Sequence, residues 1–351
     1  MELSEKTLKI SRVGTKQKGV NEFIKSLNLG IDSSQLEWFD STDKDKIPNA
    51  SNSYSGIANI QPINDIQRIN KFFEEANHRL EKGKYFLTAV ETKDTRKNKI
   101  LNNYPKFIGY PVYVLDFILK RVLPKISFTK GLYFWFTNGK SRVLSLTESL
   151  GRLTSCGFDI IGYQRIGYTT YILSQKQSDP AYDMQPTYGA LVKLNRIGKG
   201  GELFSVYKLR TMHPYSEYLQ DYAFKKNSLQ QGGKIKDDFR VTTWGRWFRK
   251  LWIDELPMFI NFFKREMKLV GVRPLSRHYF NLYPEDLQEL RTKVKPGLVP
   301  PFYADMPQTL EEIIESERKY LKSYLEHPIR TDVRYFFKAW YNILVKKARS
   351  N

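Results

Sequence analysis

Hydrophobic residues recur at three- and four-residue steps over residues 63–82, the spacing of one buried face of an α-helix. Gly83 ends this pattern, as glycine often does at the end of a helix. Residues 85–90 then form a short, mostly apolar run that predicts a buried strand. A helix followed by a strand predicts an α/β arrangement for the first half of the chain.

A second helical period covers residues 144–156 and ends at Gly157, with Ser145 or Thr147 as its N-cap. Two runs rich in β-branched and aromatic residues follow, 158–161 and 168–173. They predict a pair of strands that completes the α/β pattern.

A polar segment marked by prolines, residues 179–186, separates two stretches of different composition. Glycine, arginine and proline become dense beyond it. A chain of 351 residues is long enough for two domains with cores of their own. We therefore predict an N-terminal domain over 1–178 and a C-terminal domain over 187–351, joined by this linker.

Composition narrows the class of protein. No apolar run approaches the roughly 20 residues that a spanning helix needs, which argues against a polytopic membrane protein. The opening residues are acidic and do not resemble a secretory signal. The single cysteine, Cys156, excludes a disulfide framework. These features predict a cytoplasmic protein.

The formal net charge of +20 requires an anionic partner. Nucleic acid, anionic lipid and phosphate-bearing substrates would all be attracted by it. The excess is spread along the chain without a long basic tract or a nucleic-acid-binding signature, so we do not expect nucleic acid. The four histidines show no metal-ligand spacing.

The N-terminal half resembles the C-terminal half of a Rossmann-like class I methyltransferase. The resemblance is carried by residues 69–73 and 83–86, a late helix and strand, and by 148–153 and 157–158, the last helix and strand. The glycine-rich cofactor turn of such enzymes has no counterpart in residues 1–55. The resemblance therefore implies a degenerate Rossmann-like scaffold without methyl transfer.

The C-terminal half contains a glycine-rich turn, residues 195–201, that enters a strand of alternating pattern. Lys208 and Arg210 lie at i and i+2 and so share one face of that strand. Two cations on one face suit a diphosphate. A hairpin with a solvated basic face is the alternative interpretation.

Two adjacent acids, Asp254 and Glu255, precede Pro257 and follow a cationic cluster that includes Arg249. Carboxylates beside cations remain ionised near neutral pH and can serve as a nucleophile or as metal ligands. The alternative is a pair of capping acids at a helix start, with Pro257 in the first turn.

A short apolar strand, residues 267–271, ends in glycine and is followed by Arg273, which Pro274 holds stiffly. An arginine just after the end of a strand can bind a phosphate through two parallel hydrogen bonds from its guanidinium. Residues 295–301 form a proline-rich loop that we expect to shape a pocket wall.

Taken in order, these motifs resemble the bacterial sugar transferase family, the monotopic phosphoglycosyl transferases. The motifs are R-I-G-K at 196–199, K-L-R-T-M at 208–212, I-D-E-L-P at 253–257, L-V-G-V-R-P at 269–274 and K-P-G at 295–297. The resemblance implies that Asp254 attacks the β-phosphate of a UDP-sugar, expels UMP and passes the phosphosugar to a polyprenyl phosphate. It implies that Glu255 places Mg²⁺ together with Asp254, or activates the acceptor. It makes Arg273 a phosphate-binding residue, with Lys208, Arg210 and Arg249 as secondary candidates.

Several positions depart from the family pattern. Met258 stands where glutamine is usual, Val272 where proline is usual, and residues 264–267 where k-G-D-M is usual. The family also carries a long apolar re-entrant helix before its first motif. The nearest apolar segment here, 113–121, is too short and too charged to replace it.

Residues 332–349 predict an amphipathic helix with aromatic residues on one face and lysines and arginines at its edges. Such a helix can lie at an anionic membrane surface, although docking on the protein's own core is an equally good interpretation. We therefore expect a phosphoglycosyl transferase that acts in exopolysaccharide, capsule or O-antigen synthesis, bound peripherally to the cytoplasmic face of the inner membrane. A non-catalytic homologue that binds nucleotide sugar or a partner glycosyltransferase is the alternative, and a homo-oligomer is compatible with the sequence.

Overall fold

A computed structural model describes residues 18–49, 53–182, 189–226 and 238–346. The described chain divides into two compact units. The first contains residues 18–182 and the segment 213–225, and the second contains the rest. The segment 213–225 therefore belongs to a different unit from the residues on either side of it. A division of the chain at a single linker does not predict this. Part of the predicted linker, 183–188, lies outside the described residues.

The first unit is built on a five-stranded sheet. In chain order its elements are α1 (18–26), β1 (Leu36–Phe39), β2 (Gly56–Pro62), α2 (Ile69–His78), β3 (Tyr85–Val90), α3 (Lys93–Asn103), α4 (Lys106–Phe117), α5 (Ser127–Thr137), α6 (Leu146–Ser155), β4 (Phe158–Ile166), β5 (Thr169–Lys176) and α7 (Gln220–Lys226). The strand order is β1-β2-β3-β5-β4, with β5 antiparallel to both of its neighbours and the β1–β2 and β2–β3 pairs parallel.

The predicted α/β class is confirmed, and the helices and strands predicted in this half correspond to α2, β3, α6, β4 and β5. Ser145 is the N-cap of α6, since its hydroxyl accepts a hydrogen bond from the Glu148 amide at 3.2 Å. Aromatic side chains from α2, β3 and β4, among them Phe73, Phe86 and Phe158, pack together in the core. The resemblance of this unit to methyltransferases stays a prediction.

A buried carboxylate links α6 to the chain between α4 and α5. Glu148 is fully buried and accepts hydrogen bonds from Arg121 at 2.9 Å, Lys125 at 3.0 Å and Arg152 at 3.0 Å. Burial alone would raise the pKa of the Glu148 carboxyl, but these cations hold it well below its usual range. The three cations therefore neutralise one interior charge, and two of them, Arg121 and Lys125, tie the chain between α4 and α5 to α6.

The second unit combines a hairpin with a helical layer. Its elements are β6 (Leu191–Ile197), β7 (Leu203–Leu209), α8 (Thr243–Lys250), α9 (Met258–Phe263), β8 (Lys268–Val270), α10 (Arg277–Phe280), α11 (Glu285–Thr292), β9 (Gly297–Val299), α12 (Pro301–Asp305), α13 (Leu310–Glu326) and α14 (Pro328–Leu344). β6 and β7 are antiparallel and β8 pairs with β9 in parallel. The glycine-rich turn enters a strand as predicted, and it joins the two strands of a hairpin, β6 and β7.

The short parallel pair depends on two glycines. A Cβ added to Gly297 would lie 2.1 Å from the Gly271 amide nitrogen, a distance that no side chain can occupy. The close approach lets the Gly297 amide donate to the Val272 carbonyl at 3.0 Å. The glycines of the L-V-G and K-P-G motifs therefore bring the Arg273 loop against the start of β9.

Helix α14 is docked on the core of its own unit. Tyr335 and Ala339 are buried with residues of α11 to α13, and the Asn342 amide donates to the carbonyls of Tyr303 at 3.0 Å and Ala304 at 2.8 Å. The apolar face predicted from the sequence is therefore divided. Phe336 and Ile343 pack against the core, whereas Phe337, Trp340, Tyr341, Leu344 and Val345 are exposed. Membrane binding by this helix stays a prediction.

Candidate functional site

The two adjacent acids lie in a single turn of 3₁₀-helix, Ile253–Glu255, between α8 and α9. The preceding residue, Trp252, has φ of 54°, a left-handed conformation that is rare for a bulky side chain. Its indole nitrogen donates to the Tyr303 hydroxyl at 3.0 Å, and the two rings pack edge to face. Strain of this kind costs about 1–3 kcal/mol and persists only where the surroundings enforce it. Packing against Tyr303 therefore holds the turn that carries the acids.

The two carboxylates have different environments. Asp254 is only 8% exposed, whereas Glu255 is half-buried. Burial raises the pKa of the Asp254 carboxyl, the charge of Lys208 opposes that rise, Glu255 adds to it, and Arg249 again opposes it. The pair thus combines one sheltered carboxylate with one that solvent can reach.

Lys208 on β7 forms an ion pair with Glu255. Its ammonium donates to the Glu255 carboxylate at 2.7 Å, which ties the hairpin to the 3₁₀ turn. Lys208 therefore neutralises part of the acidic pair in addition to any role toward a phosphate. Arg210 directly follows β7, and its Nε donates to the Gly189 carbonyl at 2.7 Å.

Helix α8 packs its first turn on the end of β7. A Cβ on Gly245 would lie 2.0 Å from the Thr211 carbonyl oxygen, which itself accepts a hydrogen bond from the Thr242 amide at 2.9 Å. One turn further along, the Arg249 Nε donates to the Thr211 hydroxyl at 3.0 Å. This contact holds Arg249 where its charge acts on Asp254.

Arg273 belongs to a different cationic group. Its side chain is exposed in the loop after β8, and its backbone carbonyl accepts a hydrogen bond from Arg291. In the part of the chain that the structure describes, no hydrogen bond or ion pair joins Arg273 to Asp254 or Glu255. The Ile197 amide donates to the Leu275 carbonyl at 3.0 Å, which brings the end of β6, with Arg196, against the Arg273 loop. Burial and the positive charge of Arg273 lower the pKa of Arg196. The sequence pattern did not predict that Arg196 and Arg273 lie near each other.

Asn261 on α9 is a supporting residue that the sequence analysis missed. Its side chain is fully buried and its amide donates to the Ser205 carbonyl and to Glu266, each at 2.7 Å. Its oxygen accepts from the Tyr207 amide at 3.1 Å. Asn261 thus fastens α9 to the strand that carries Lys208. The available signal was one polar residue in the apolar run 258–263.

The departures from the family pattern occupy interior or strained positions. Met258 is buried with Val206 and Met267, and Val272 is buried in the core beneath α11 to α14. Arg265, at the usual glycine position, has φ of 60°, which explains why glycine suits that place. Neither apolar departure removes a charged group from the site.

Within the described ranges, no cluster of three or more histidine, cysteine, aspartate or glutamate side chains could hold a metal ion by itself. Asp254 and Glu255 offer two carboxylates, and Mg²⁺ is commonly held by one or two carboxylates together with substrate phosphates and water. The two carboxylates are therefore chemically compatible with a magnesium ion, provided that a substrate and water supplied its other ligands.

Of the helices described, none combines the length and the apolar character needed to cross a bilayer.

Comparison with known proteins supports the family resemblance. The family model described as bacterial sugar transferase matches residues 181–346, so this part of the chain is similar to that family. The resemblance inferred from the motifs is confirmed.

Three curated relatives illustrate the match. The chain is 38% identical over 112 residues to the galactosyl transferase CpsE of Streptococcus agalactiae, covering 31% of this chain and 24% of that protein. It is 28% identical over 226 residues to the undecaprenyl-phosphate galactose phosphotransferase of Salmonella typhimurium, covering 62% and 43%. It is 34% identical over 160 residues to the UDP-N-acetylgalactosamine-undecaprenyl-phosphate N-acetylgalactosaminephosphotransferase of Aeromonas hydrophila, covering 43% and 34%. The chain thus spans less than half the length of these relatives.

We expect Asn261→Ala to destabilise the second unit by about 3 kcal/mol, because it leaves the Tyr207 amide and Glu266 without their buried partner. The matched control is Asn195→Ala on β6, an exposed asparagine whose one side-chain contact is long. Urea denaturation measures both. Equal midpoints for the two variants would show that the Asn261 amide does not hold α9 to β7.

Proposed function

We propose that the second unit is a phosphoglycosyl transferase that moves a sugar-1-phosphate from a UDP-sugar to a polyprenyl phosphate, with the phosphosugar held on Asp254 in between. The observation that supports this most is the sheltered Asp254 carboxylate flanked by Glu255, Lys208 and Arg249 within the matched family segment. The names of the Salmonella and Aeromonas relatives support an undecaprenyl phosphate acceptor, and the latter supports a UDP-linked donor.

In the first step an Asp254 carboxylate oxygen attacks the β-phosphorus of the donor. The bond between that phosphorus and the bridging oxygen breaks, and UMP leaves with the electron pair. The phosphosugar is then an acyl phosphate on Asp254. In the second step a phosphate oxygen of the polyprenyl phosphate attacks the same phosphorus, and the free Asp254 carboxylate is restored.

Charge repulsion is the main obstacle to this chemistry, because an anionic nucleophile must meet a diphosphate and then a lipid phosphate. Lys208 and Arg249 reduce the negative potential at Asp254. The exposed guanidinium of Arg273, close to Arg196, offers a second group of cations for phosphate oxygens. Arg210 can contribute from the end of β7.

Asp254 and Glu255 are the residues that would hold Mg²⁺, which would supply positive charge to the diphosphate. Glu255 also keeps Lys208 in place through its ion pair. We further propose that the reaction serves exopolysaccharide, capsule or O-antigen synthesis at the cytoplasmic face of the membrane. The Sinorhizobium relative named as an exopolysaccharide production protein supports that setting.

Asp254→Asn is expected to lower UMP release from a UDP-sugar by at least about a thousandfold, since the amide is a far weaker nucleophile than a carboxylate. The measurement is UMP release across a panel of UDP-sugars with undecaprenyl phosphate present. Asp286→Asn, at an exposed surface ion pair, is the matched control and should keep the wild-type rate. A wild-type rate in a folded Asp254→Asn protein would refute the assignment of the nucleophile.

Lys208→Met is expected to move the acidic limb of the kcat/KM profile to higher pH. The Lys208 charge lowers the pKa of Asp254, so its removal raises that pKa, and more alkaline conditions are then needed to form the reactive carboxylate. The pH profile of UMP release measures the shift. Lys193→Met on β6 is the control, and an unmoved limb in Lys208→Met would mean that Lys208 does not act on the nucleophile.

Chelation by EDTA is expected to abolish UMP release, and added Mg²⁺ to restore it, because the Asp254–Glu255 pair and the diphosphate together present excess negative charge. Undiminished release in EDTA would remove the metal from the proposal. Thermal melting with and without EDTA distinguishes loss of chemistry from loss of fold.

A further inference from the structure

Helices α4 and α5 of the first unit present large apolar side chains to solvent. Phe107 is 78% exposed, Phe128 94% and Trp135 73%. The other exposed apolar residues along this stretch are Ile108, Tyr110, Val114, Leu115, Ile118, Leu119, Ile126, Leu132 and Phe136. Soluble proteins rarely leave so many large apolar side chains uncovered along one continuous stretch of chain. We therefore expect a partner to cover this surface.

Two charged side chains of the same stretch, Asp116 and Arg121, point the other way, into the unit. Asp116 accepts two hydrogen bonds from Arg96, at 2.6 and 2.9 Å, and both side chains are largely buried. Arg121 is buried against Glu148 and the Val143 carbonyl. A helix in water turns its apolar face inward and its charges outward. At Asp116 and Arg121 that partition is reversed, as expected for a segment whose outer face meets an apolar medium.

The reversed arrangement is firmly attached to the rest of the unit. Arg121 and Lys125, which lie between α4 and α5, both bind the fully buried Glu148 on α6. Arg96 on α3 fixes α4 through Asp116. These buried ion pairs hold the stretch without help from the exposed aromatic residues. The outer face can therefore change its side chains without changing the attachment.

The charge of the stretch indicates which partner fits. Residues 104–142 contain seven lysines and arginines and one acid, Asp116, whose charge is turned inward. The exposed cations include Lys106, Lys130 and Lys140. Exposed phenylalanine and tryptophan side chains accompanied by lysines are the composition of a surface that binds anionic lipid headgroups and inserts into the acyl boundary.

The dimensions of the helices restrict how such a surface can meet a bilayer. α4 has 12 residues and continues directly into a π-helical segment, Ile118–Val122, and a 3₁₀ turn, Leu123–Lys125. Ile126 is extended, with φ of −90° and ψ of 127°, so this first segment ends there and α5 starts a separate helix of 11 residues. α5 is about 17 Å long, well short of the roughly 30 Å of a bilayer's hydrocarbon core, and none of the described helices has the length and apolar character to cross it. Arg121 and Lys125, near the end of the first segment, are bound to the buried Glu148, so both segments are placed to lie in the interface.

We propose that residues 106–137, which form α4, α5 and the turns between them, dock this protein on an anionic lipid bilayer. Part of this segment, 113–121, is by its sequence too short and too charged to replace the family's re-entrant helix. The charged residues there, Asp116 and Arg121 among them, are turned inward, so they do not oppose contact with lipid. This proposal goes beyond the transfer reaction and does not depend on it.

Vesicle flotation of the full chain tests the proposal. The double variant Phe128→Ser/Trp135→Ser removes two exposed side chains from α5 and should weaken binding to vesicles containing 30% phosphatidylglycerol by at least about tenfold. The matched control is Phe337→Ser/Leu344→Ser, which removes two exposed side chains from α14. Thermal melting should be unchanged in both, since the four side chains lie outside the core.

Three results would overturn the proposal. The first is wild-type flotation by the α5 variant. The second is loss of flotation in the α14 control alone, which would make α14 the anchor. The third is a wild-type protein that sediments as a dimer without lipid while the α5 variant is monomeric, which would make this surface an interface between two copies. Single substitutions Lys130→Gln and Lys140→Gln should lower the preference for anionic over zwitterionic vesicles, which supports the lipid assignment.

Release of UMP from a soluble UDP-sugar, measured without a lipid acceptor, separates this proposal from the proposed function. We expect the α5 variant to keep the wild-type amount of released UMP while it loses flotation. Retained flotation by a protein that releases no UMP would leave the docking surface supported and would count against the transfer reaction alone.

Discussion

The second unit is organised around the burial of a carboxylate beside a second carboxylate. Asp254 is almost enclosed, and burial makes its charged form costly, while Glu255 next to it adds repulsion. Cations must therefore come from elements distant in sequence. Lys208 is supplied by β7 and Arg249 by α8. The hairpin, the helix and the 3₁₀ turn have to meet within a few ångströms for this cluster to exist.

Several contacts between uncharged groups hold the hairpin, the helices and the 3₁₀ turn together. Asn261 fastens α9 to β7 through two hydrogen bonds, to the Ser205 carbonyl and the Tyr207 amide, and Gly245 lets α8 touch the end of the same strand. Trp252 holds a left-handed turn against Tyr303. The packing around the acidic pair therefore fixes its geometry. Substitutions in that packing can impair the site even when both acids are unchanged.

The pKa values of the buried carboxyls Glu148 and Asp254, one in each unit, are shifted in opposite directions. Glu148 is surrounded by three cations that hydrogen-bond to it directly, and the pKa of its carboxyl falls well below the usual range. Asp254 is buried with less compensation, and the pKa of its carboxyl rises. A fully neutralised carboxylate is suited to holding structure together. A partly compensated one retains reactivity toward an electrophile, in keeping with the role proposed for it.

Motifs and periodicity in the sequence were sufficient to predict the α/β class, the main elements of the N-terminal half, the strand after the glycine-rich turn and the family that the C-terminal segment resembles. These features are local: a helical period, a glycine-rich turn and the adjacent pair Asp254–Glu255 are each complete within a few residues of the chain. Tertiary structure alone decided which distant cations reach Asp254, that Arg196 lies near Arg273, and that the 213–225 segment belongs to the first unit. It also decided that Asp116, Arg121 and Lys125 turn inward, away from the exposed apolar side chains of α4 and α5. The sequence shows only that Asp116, Arg121 and Lys125 are charged. Their buried partners in the folded unit determine that these side chains lie on the inner face, which leaves an apolar outer face.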